Sequence, residues 1–376
     1  MSPASPRRAP SLEGALTAGE VAATVASIAA CQEPDGAIPW YPGGRTDPWD
    51  HVECAMALDA GGRHREAEAA YAWLVATQRA DGSWASSYRN GRVVDATAQT
   101  HHAAYVAVGV WHHLLATGDE RFLNAMWPTV RRALDWVAGM AGPSGQLWWA
   151  RNPAGRIDRT ALTTATSSAH HGLLAGLALA DRLGVTAPHW ERTAAGVEHA
   201  LDTHPELFAD PGGYSMDWYY PVLGGGLDGP RGWSRLVAGW EEFVVPGLGI
   251  RCVADRPWVT GAETCELALT LDACGRPALA AELVVTMQHL RHDDGAYWTG
   301  LVVDDGVHWP VERTTWTAAA MVLAVDALAA AGPQSGVFRT RQVGATPGAG
   351  RGGTLSAAAG CPICAAAAAS RTPLAQ

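Results

Sequence analysis

Apolar residues along the chain recur at helical spacing in two alternating textures. Segment 117–137 (TGDERFLNAMWPTVRRALDWV) places charged residues on one face and Leu, Met, Val and Trp on the other. Segments Thr97–Leu115 and Thr163–Leu183 are apolar nearly all round. A helix apolar on every side must be buried on every side. The pattern predicts helices over Thr17–Gln32, Asp50–Ala60, Arg63–Arg79, Thr97–Leu115, 117–137 (interrupted by Pro128) and Thr163–Leu183. It continues with His189–Leu201, a short helix in 211–226, Arg231–Phe243, Glu263–Ala273, Pro277–Leu290 and Glu312–Ala331. No alternating strand pattern interrupts them. Amphipathic and apolar helices paired as six successive hairpins fit an all-α (α/α)6 toroid, with an apolar inner ring and an amphipathic outer one.

A turn punctuates the series. Tyr71–Trp84 (YAWLVATQRADGSW) ends a helix in Gln, turns through Asp-Gly and sets down a Trp, and its shape returns at Cys31–Trp40 and Met287–Trp298. ECAMALDAGGR (53–63) overlays ELALTLDACGR (266–276) at one shift, and that shift also brings Asp81-Gly82 onto Asp294-Gly295. Counted from the turn aspartate, Glu53, Gln99 and Glu312 each follow by eighteen residues. A polar residue therefore returns at the start of these inner helices, while Asp35, Asp81 and Asp294 read as turn residues that bond their own backbone.

The Pro/Ser/Arg-rich residues 1–16 read as a flexible arm, 17–332 as the toroid, and 333–376, rich in Gly, Ala and Pro, as a disordered tail. The N-terminal arginines have no apolar core behind them and no apolar run reaches the roughly 20 residues of a membrane span, so a cytoplasmic protein is expected. A net charge of −10 argues against a nucleic-acid partner. All 27 basic residues are arginine, which removes every lysine-dependent chemistry, including the Walker phosphate loop and the Schiff base. The seven cysteines are odd in number and scattered, reading as free thiols. Cys361 and Cys364 form the only CxxC, and without a second pair or a nearby histidine it does not by itself call for zinc. No metal and no cofactor is assigned.

The unit around Gln78 resembles the QW motif of squalene cyclases and the repeats of protein prenyltransferase β subunits. The segments WPTVRRALDWV and TSSAHHGLLAGLALADRLG are similar to six-hairpin glycosidases of the glucoamylase and trehalase type. Both resemblances imply the same toroid and different chemistries. The terpenoid one lacks its DxDD acid, and Asp272-Ala273-Cys274, which has the spacing of a prenyltransferase zinc ligand pair, falls at the far end of an inner helix.

In such a ring the substrate funnel is lined by inner-helix N-termini and the loops that feed them. These positions hold carboxylates, histidines and several of the 17 tryptophans. Glycoside hydrolysis needs one acid to protonate the leaving oxygen and one base to activate water, with aromatic faces to stack on the sugar. The sequence nominates Asp217 and Glu263 as the leading catalytic candidates for an inverting pair, with Glu312 third, and Trp49, Asp50, Glu53, His101, His170, Trp218, Tyr220, Glu266 and Arg313 as substrate-binding. The expected ligand is an oligosaccharide or small molecule. The alternatives are an isoprenoid enzyme, which needs a deep apolar tunnel, and a non-catalytic binding toroid, whose acids would be neutralised by Arg45 or Arg313.

Overall fold

The computed structural model describes residues 9–209, 212–340 and 360–370. Outer helices α1 (Ala18–Cys31), α3 (His64–Thr77), α5 (Glu120–Ala138), α7 (Pro188–Thr203), α9 (Gly229–Phe243) and α11 (Pro277–Thr286) alternate along the chain with inner ones. The inner helices are α2 (Pro48–Ala60), α4 (Thr100–Thr117), α6 (Thr163–Arg182), α8 (Ser215–Leu223), α10 (Gly261–Ala273) and α12 (Thr315–Ala329). Each inner helix packs on the next, and α12 returns to α2, which closes the ring. The toroid read from the sequence is therefore the fold.

The helix starts follow local chemistry. Thr17 and Glu20 form a capping box on α1, and Asp47 caps α2 with Pro48 at its first position. Pro128 sits inside α5 without ending it. That helix keeps Leu123, Met126, Val130 and Leu134 buried, so packing outweighs the lost backbone bond.

The recurring turn joins one hairpin to the next. Gln32 and Gln78 each donate to a carbonyl in their own turn and to one on the following outer helix, Glu66 and Thr129 respectively. Gly36, Gly82, Gly145 and Gly295 all hold φ between 89° and 96° and lie against the backbone of the next outer helix. A Cβ on Gly82 would stand 2.1 Å from the Arg132 carbonyl oxygen. Gly295 meets Ala23 of α1, so the last turn docks on the first outer helix.

Two expectations are corrected. Strands do occur, as three small antiparallel sheets in the loops that lead from outer to inner helices. They are β1 (Ser87–Arg89) with β2 (Arg92–Asp95), and β3 (Ala98–Gln99) with β4 (Ala150–Arg151) and β5 (Ile157–Asp158). The third joins β6 (Val244–Val245), β7 (Gly249–Arg251), β8 (Trp258–Thr260) and β9 (Gly300–Val302). Strands this short carry no readable alternation.

The second correction concerns the flanks. Residues 333–340 are not a loose tail. Val337 and Phe338 are buried, His171 bonds the Val337 carbonyl, and Arg339 pairs with Asp272. Gln334 and Ser335 donate to Asp326 at the C-terminal end of α12. At the other flank Leu16 is buried, so residues 9–16 pack on the fold, while residues 1–8, 341–359 and 371–376 lie outside the described residues.

Candidate active site

Helices α2 and α10 stand on either side of α12 and present matching carboxylates at their first turns. Asp50 and Glu263 occupy the third helical position of each, and Glu53 and Glu266 lie three residues further in. The i,i+3 spacing puts both members of each pair on one helix face. All four are buried, at 8%, 4%, 2% and 1% exposure in that order.

The inner pair forms a coupled dyad. Tyr105 donates to Glu53 at 2.9 Å, and Tyr219 and Tyr220 both donate to Glu266, the latter at 2.8 Å. Burial raises the Glu53 pKa to about 7 against the hydrogen bonds it accepts, including one shared with Glu266. Burial and then the Glu53 charge push Glu266 well up. Two carboxylates this close hold a proton between them, because both cannot ionise in a dry site.

The outer pair differs in its surroundings. Burial lifts Asp50 well above the usual carboxylate range, reinforced by Asp47, Glu53 and Glu266 and opposed by Arg45. Asp50 Oδ2 is buried and has no hydrogen-bond partner among the described residues. Glu263 is raised by burial too, but Thr260, its own backbone N–H and Cys252 oppose the shift.

Aromatic rings wall this space. Trp49 packs edge-on to His101 at 4.8 Å and Tyr220 at 5.4 Å, and lies 5.7 Å from Tyr105. The indoles of Trp49 and Trp316 reach the Glu53 carboxylate, while Nδ1 of His101, like Asp50 Oδ2, is buried and has no hydrogen-bond partner among the described residues. Burial drives His101 well below the ordinary histidine pKa, so it is neutral. Unpaired buried polar atoms gathered on one spot mark where a polar ligand completes the bonding.

The structure brings together Trp49, Asp50, Glu53, His101, Tyr220, Glu263 and Glu266. Other nominees go elsewhere. The Asp217 carboxylate accepts from the backbone N–H and hydroxyl of Thr164 and so ties α8 to the start of α6. Trp218 stacks on Phe243 at 5.2 Å and donates to the Arg235 carbonyl. His170 bonds the Gly224 carbonyl at 2.7 Å in the core. Arg313 pairs with Asp294 in the third turn and lies over Trp298, so it does not neutralise the acids. Glu312 is half-buried at the mouth, near Arg45, and its carboxyl is raised by partial burial. Asp272, of the candidate zinc pair, is taken by Arg339. Tyr105, Tyr219 and Trp316 escaped the sequence reading. The eighteen-residue count lands on Glu53, Gln99 and Glu312 and passes over Tyr105 and Trp316, which follow a few residues later. A cavity of about 690 Å³ lies apart from these acids, between α5 and α7, and none of the four lines it.

No family model matches the chain. It is 53% identical over 330 residues to the MMP endo-(1,4)-3-O-methyl-alpha-D-mannosidase of Mycolicibacterium hassiacum, covering 88% of this chain and 92% of that one. The chain belongs to this mannosidase family. Hydrolysis of a glycosidic bond is accordingly its reaction. Solved structures similar in fold include a wild-type glycosidase (TM-score 0.67, 15% identity, 83% of this chain and 96% of that chain). Another is a rhamnosidase from Klebsiella oxytoca with rhamnose bound (TM-score 0.60, 13% identity, 85% and 65%). A D-mannose isomerase also superposes (TM-score 0.60, 11% identity, 82% and 96%). For a glycosidase of this family the squalene cyclase and prenyltransferase resemblance is set aside. Its QW-like Gln78 and Gly82 are turn clamps, and the funnel holds four carboxylates rather than an apolar tunnel. No helix among the described residues is long and apolar enough to cross a membrane.

Proposed function

We propose that this protein is an endo-acting hydrolase of α-1,4-linked chains of 3-O-methylmannose, with Asp50 as general acid and Glu263 as general base. The substrate class rests on the 53% identical relative. The roles rest on one observation: matched acids at the first turns of α2 and α10, both buried in one carboxylate cluster, with Asp50 raised by burial and by the acids around it and Glu263 raised by burial against the hydrogen bonds it accepts.

Asp50 stands beside the Glu53–Glu266 dyad, whose negative charge discourages its ionisation and keeps a proton for the leaving oxygen. Glu266 feels the charge of both Glu53 and Glu263, whereas Asp50 feels Glu53 and Glu266. Asp50 and Glu263 thus each border the dyad from a different inner helix, and an inverting displacement asks for such a separate acid and base. Trp49 offers a face for a sugar ring, and the apolar rings around it suit an O-methyl group better than a free hydroxyl.

The test is cleavage of a 1,4-linked 3-O-methyl-α-mannooligosaccharide, followed by chromatography and by proton NMR of the first product formed. Inversion releases the β-anomer first. Asp50→Asn and Glu263→Gln are each expected to lower kcat by roughly 10²–10⁴-fold, the usual worth of a general acid or base. Initial release of the α-anomer, or near-normal turnover in either variant, refutes the assignment.

A further inference from the structure

Far from the four carboxylates, two parts of the chain meet that the sequence keeps more than 150 residues apart. His199 lies near the C-terminal end of α7, and His204 is that helix's C-cap. Cys361 and Cys364 begin helix α13 (Pro362–Ser370), Cys361 just before Pro362 and Cys364 two residues after it. One ligand atom from each of the four falls within 4.8 Å of every other.

The individual separations are informative. His204 Nε2 stands 3.3 Å from Cys364 Sγ and 3.4 Å from Cys361 Sγ, and His199 Nε2 is 3.4 Å from Cys364 Sγ. A tetrahedral zinc ion with Zn–S near 2.3 Å and Zn–N near 2.0–2.1 Å places N and S about 3.5 Å apart along each edge. The cluster therefore has the dimensions of a tetrahedron that a zinc ion fills at its centre.

The outer contacts agree. His204 turns its other ring nitrogen, Nδ1, to a Glu206 carboxylate oxygen at 2.9 Å, and His199 Nδ1 faces the Thr203 hydroxyl at 3.4 Å. Both arrangements hold Nε2 toward the cluster, and a carboxylate behind a histidine is the usual support of a zinc ligand. Both cysteines are free thiols, and Cys361 and His204 are buried. The spacings are Cys-x2-Cys and His-x4-His, within the range of structural zinc sites. Two thiolates and two imidazoles favour zinc over magnesium or calcium.

We propose that His199, His204, Cys361 and Cys364 bind one Zn²⁺ in a closed Cys2His2 site that fastens the C-terminal helix α13 to the end of α7. Four protein ligands leave no open position, so the site is structural. It anchors the start of the loop that runs from α7 to α8, where Ala209 bridges to Leu162 at the beginning of α6.

The full-length protein, purified under reducing conditions, should carry about one zinc per chain by inductively coupled plasma mass spectrometry. Replacing zinc by Co²⁺ should give the intense visible bands of tetrahedral cobalt together with a thiolate charge-transfer band. The double variant Cys361→Ser, Cys364→Ser should lose the metal and the charge-transfer band, and gain protease sensitivity near α13. It should keep glycoside hydrolysis, because no ligand belongs to the acid cluster. His204→Ala gives a second reading and should weaken zinc retention against a chelator by at least about tenfold. Zinc content unchanged in the double variant would overturn the proposal. So would reduced wild-type protein that neither carries zinc nor yields the tetrahedral cobalt spectrum on titration.

Discussion

The turn that joins successive hairpins makes a sharp energetic prediction at Gly82. Its φ of +96° is a conformation that L-residues rarely adopt, and an added Cβ would meet the Arg132 carbonyl oxygen at 2.1 Å. Alanine there bears two costs. Holding the strained backbone costs about 1–3 kcal/mol. Relieving the clash moves α5 or lifts the turn, at about 1–3 kcal/mol more. Lifting the turn also stretches the bond from Gln78 to the Thr129 carbonyl. Gly82→Ala should therefore lose about 2–6 kcal/mol in urea unfolding followed by tryptophan fluorescence. Gly155→Ala is the matched control, because Gly155 holds a similar φ of +81° with nothing within 4 Å of its Cβ position. It should lose only the backbone part. Equal losses in the two variants would refute the claim that this glycine is required by contact with the next outer helix.

Other consequences follow from the same geometry. Asp217→Asn should keep hydrolysis within about tenfold of wild type, since its carboxylate caps α6; a loss as large as that of Asp50→Asn in the same chromatographic assay would return Asp217 to the catalytic set. Glu53, raised to about 7, binds its proton more tightly in the folded state than in the unfolded one. Stability should therefore fall as pH rises from about 4.3 to 7, and Glu53→Gln should flatten that decline in urea midpoints taken at pH 5 and 8; an unchanged slope would contradict the dyad. Burial alone would raise Asp59, but hydrogen bonds from His113 and His64 hold it below its ordinary value. Its contribution should be present above about pH 4 and vanish as pH falls through the folded pKa. Asp59→Asn should cost about 1–3 kcal/mol at pH 7, and a difference from wild type that does not shrink as pH is lowered below about 4 would count against this account.

Local sequence carried much of the architecture. Two textures of helix, apolar all round and amphipathic, are consequences of burial on all sides or on one, and burial is visible in the residues themselves. The Asp-Gly turns were legible because only glycine tolerates their backbone, and counting from them located Glu53 and, through the internal repeat, Glu266. The short strands and the packed residues 333–340 were not legible. A strand of two or three residues has no period, and Val337 and Phe338 are ordinary until the ring end they cover is known.

The site shows the same division. That acids and indoles gather at the inner-helix starts follows from the order of residues along the chain. Which of them act together depends on side-chain direction and on neighbours from other helices. Asp217 read as well as Glu263 in sequence, yet Thr164 occupies its carboxylate while Glu263 stays available. Cys361 and Cys364 looked isolated because their histidine partners come from α7, well over a hundred residues away. Composition and spacing determined that this chain makes a ring and where its polar residues return. Only tertiary structure decided which of them share a desolvated space, because pKa and ligation are set by distances through space rather than by separation along the chain.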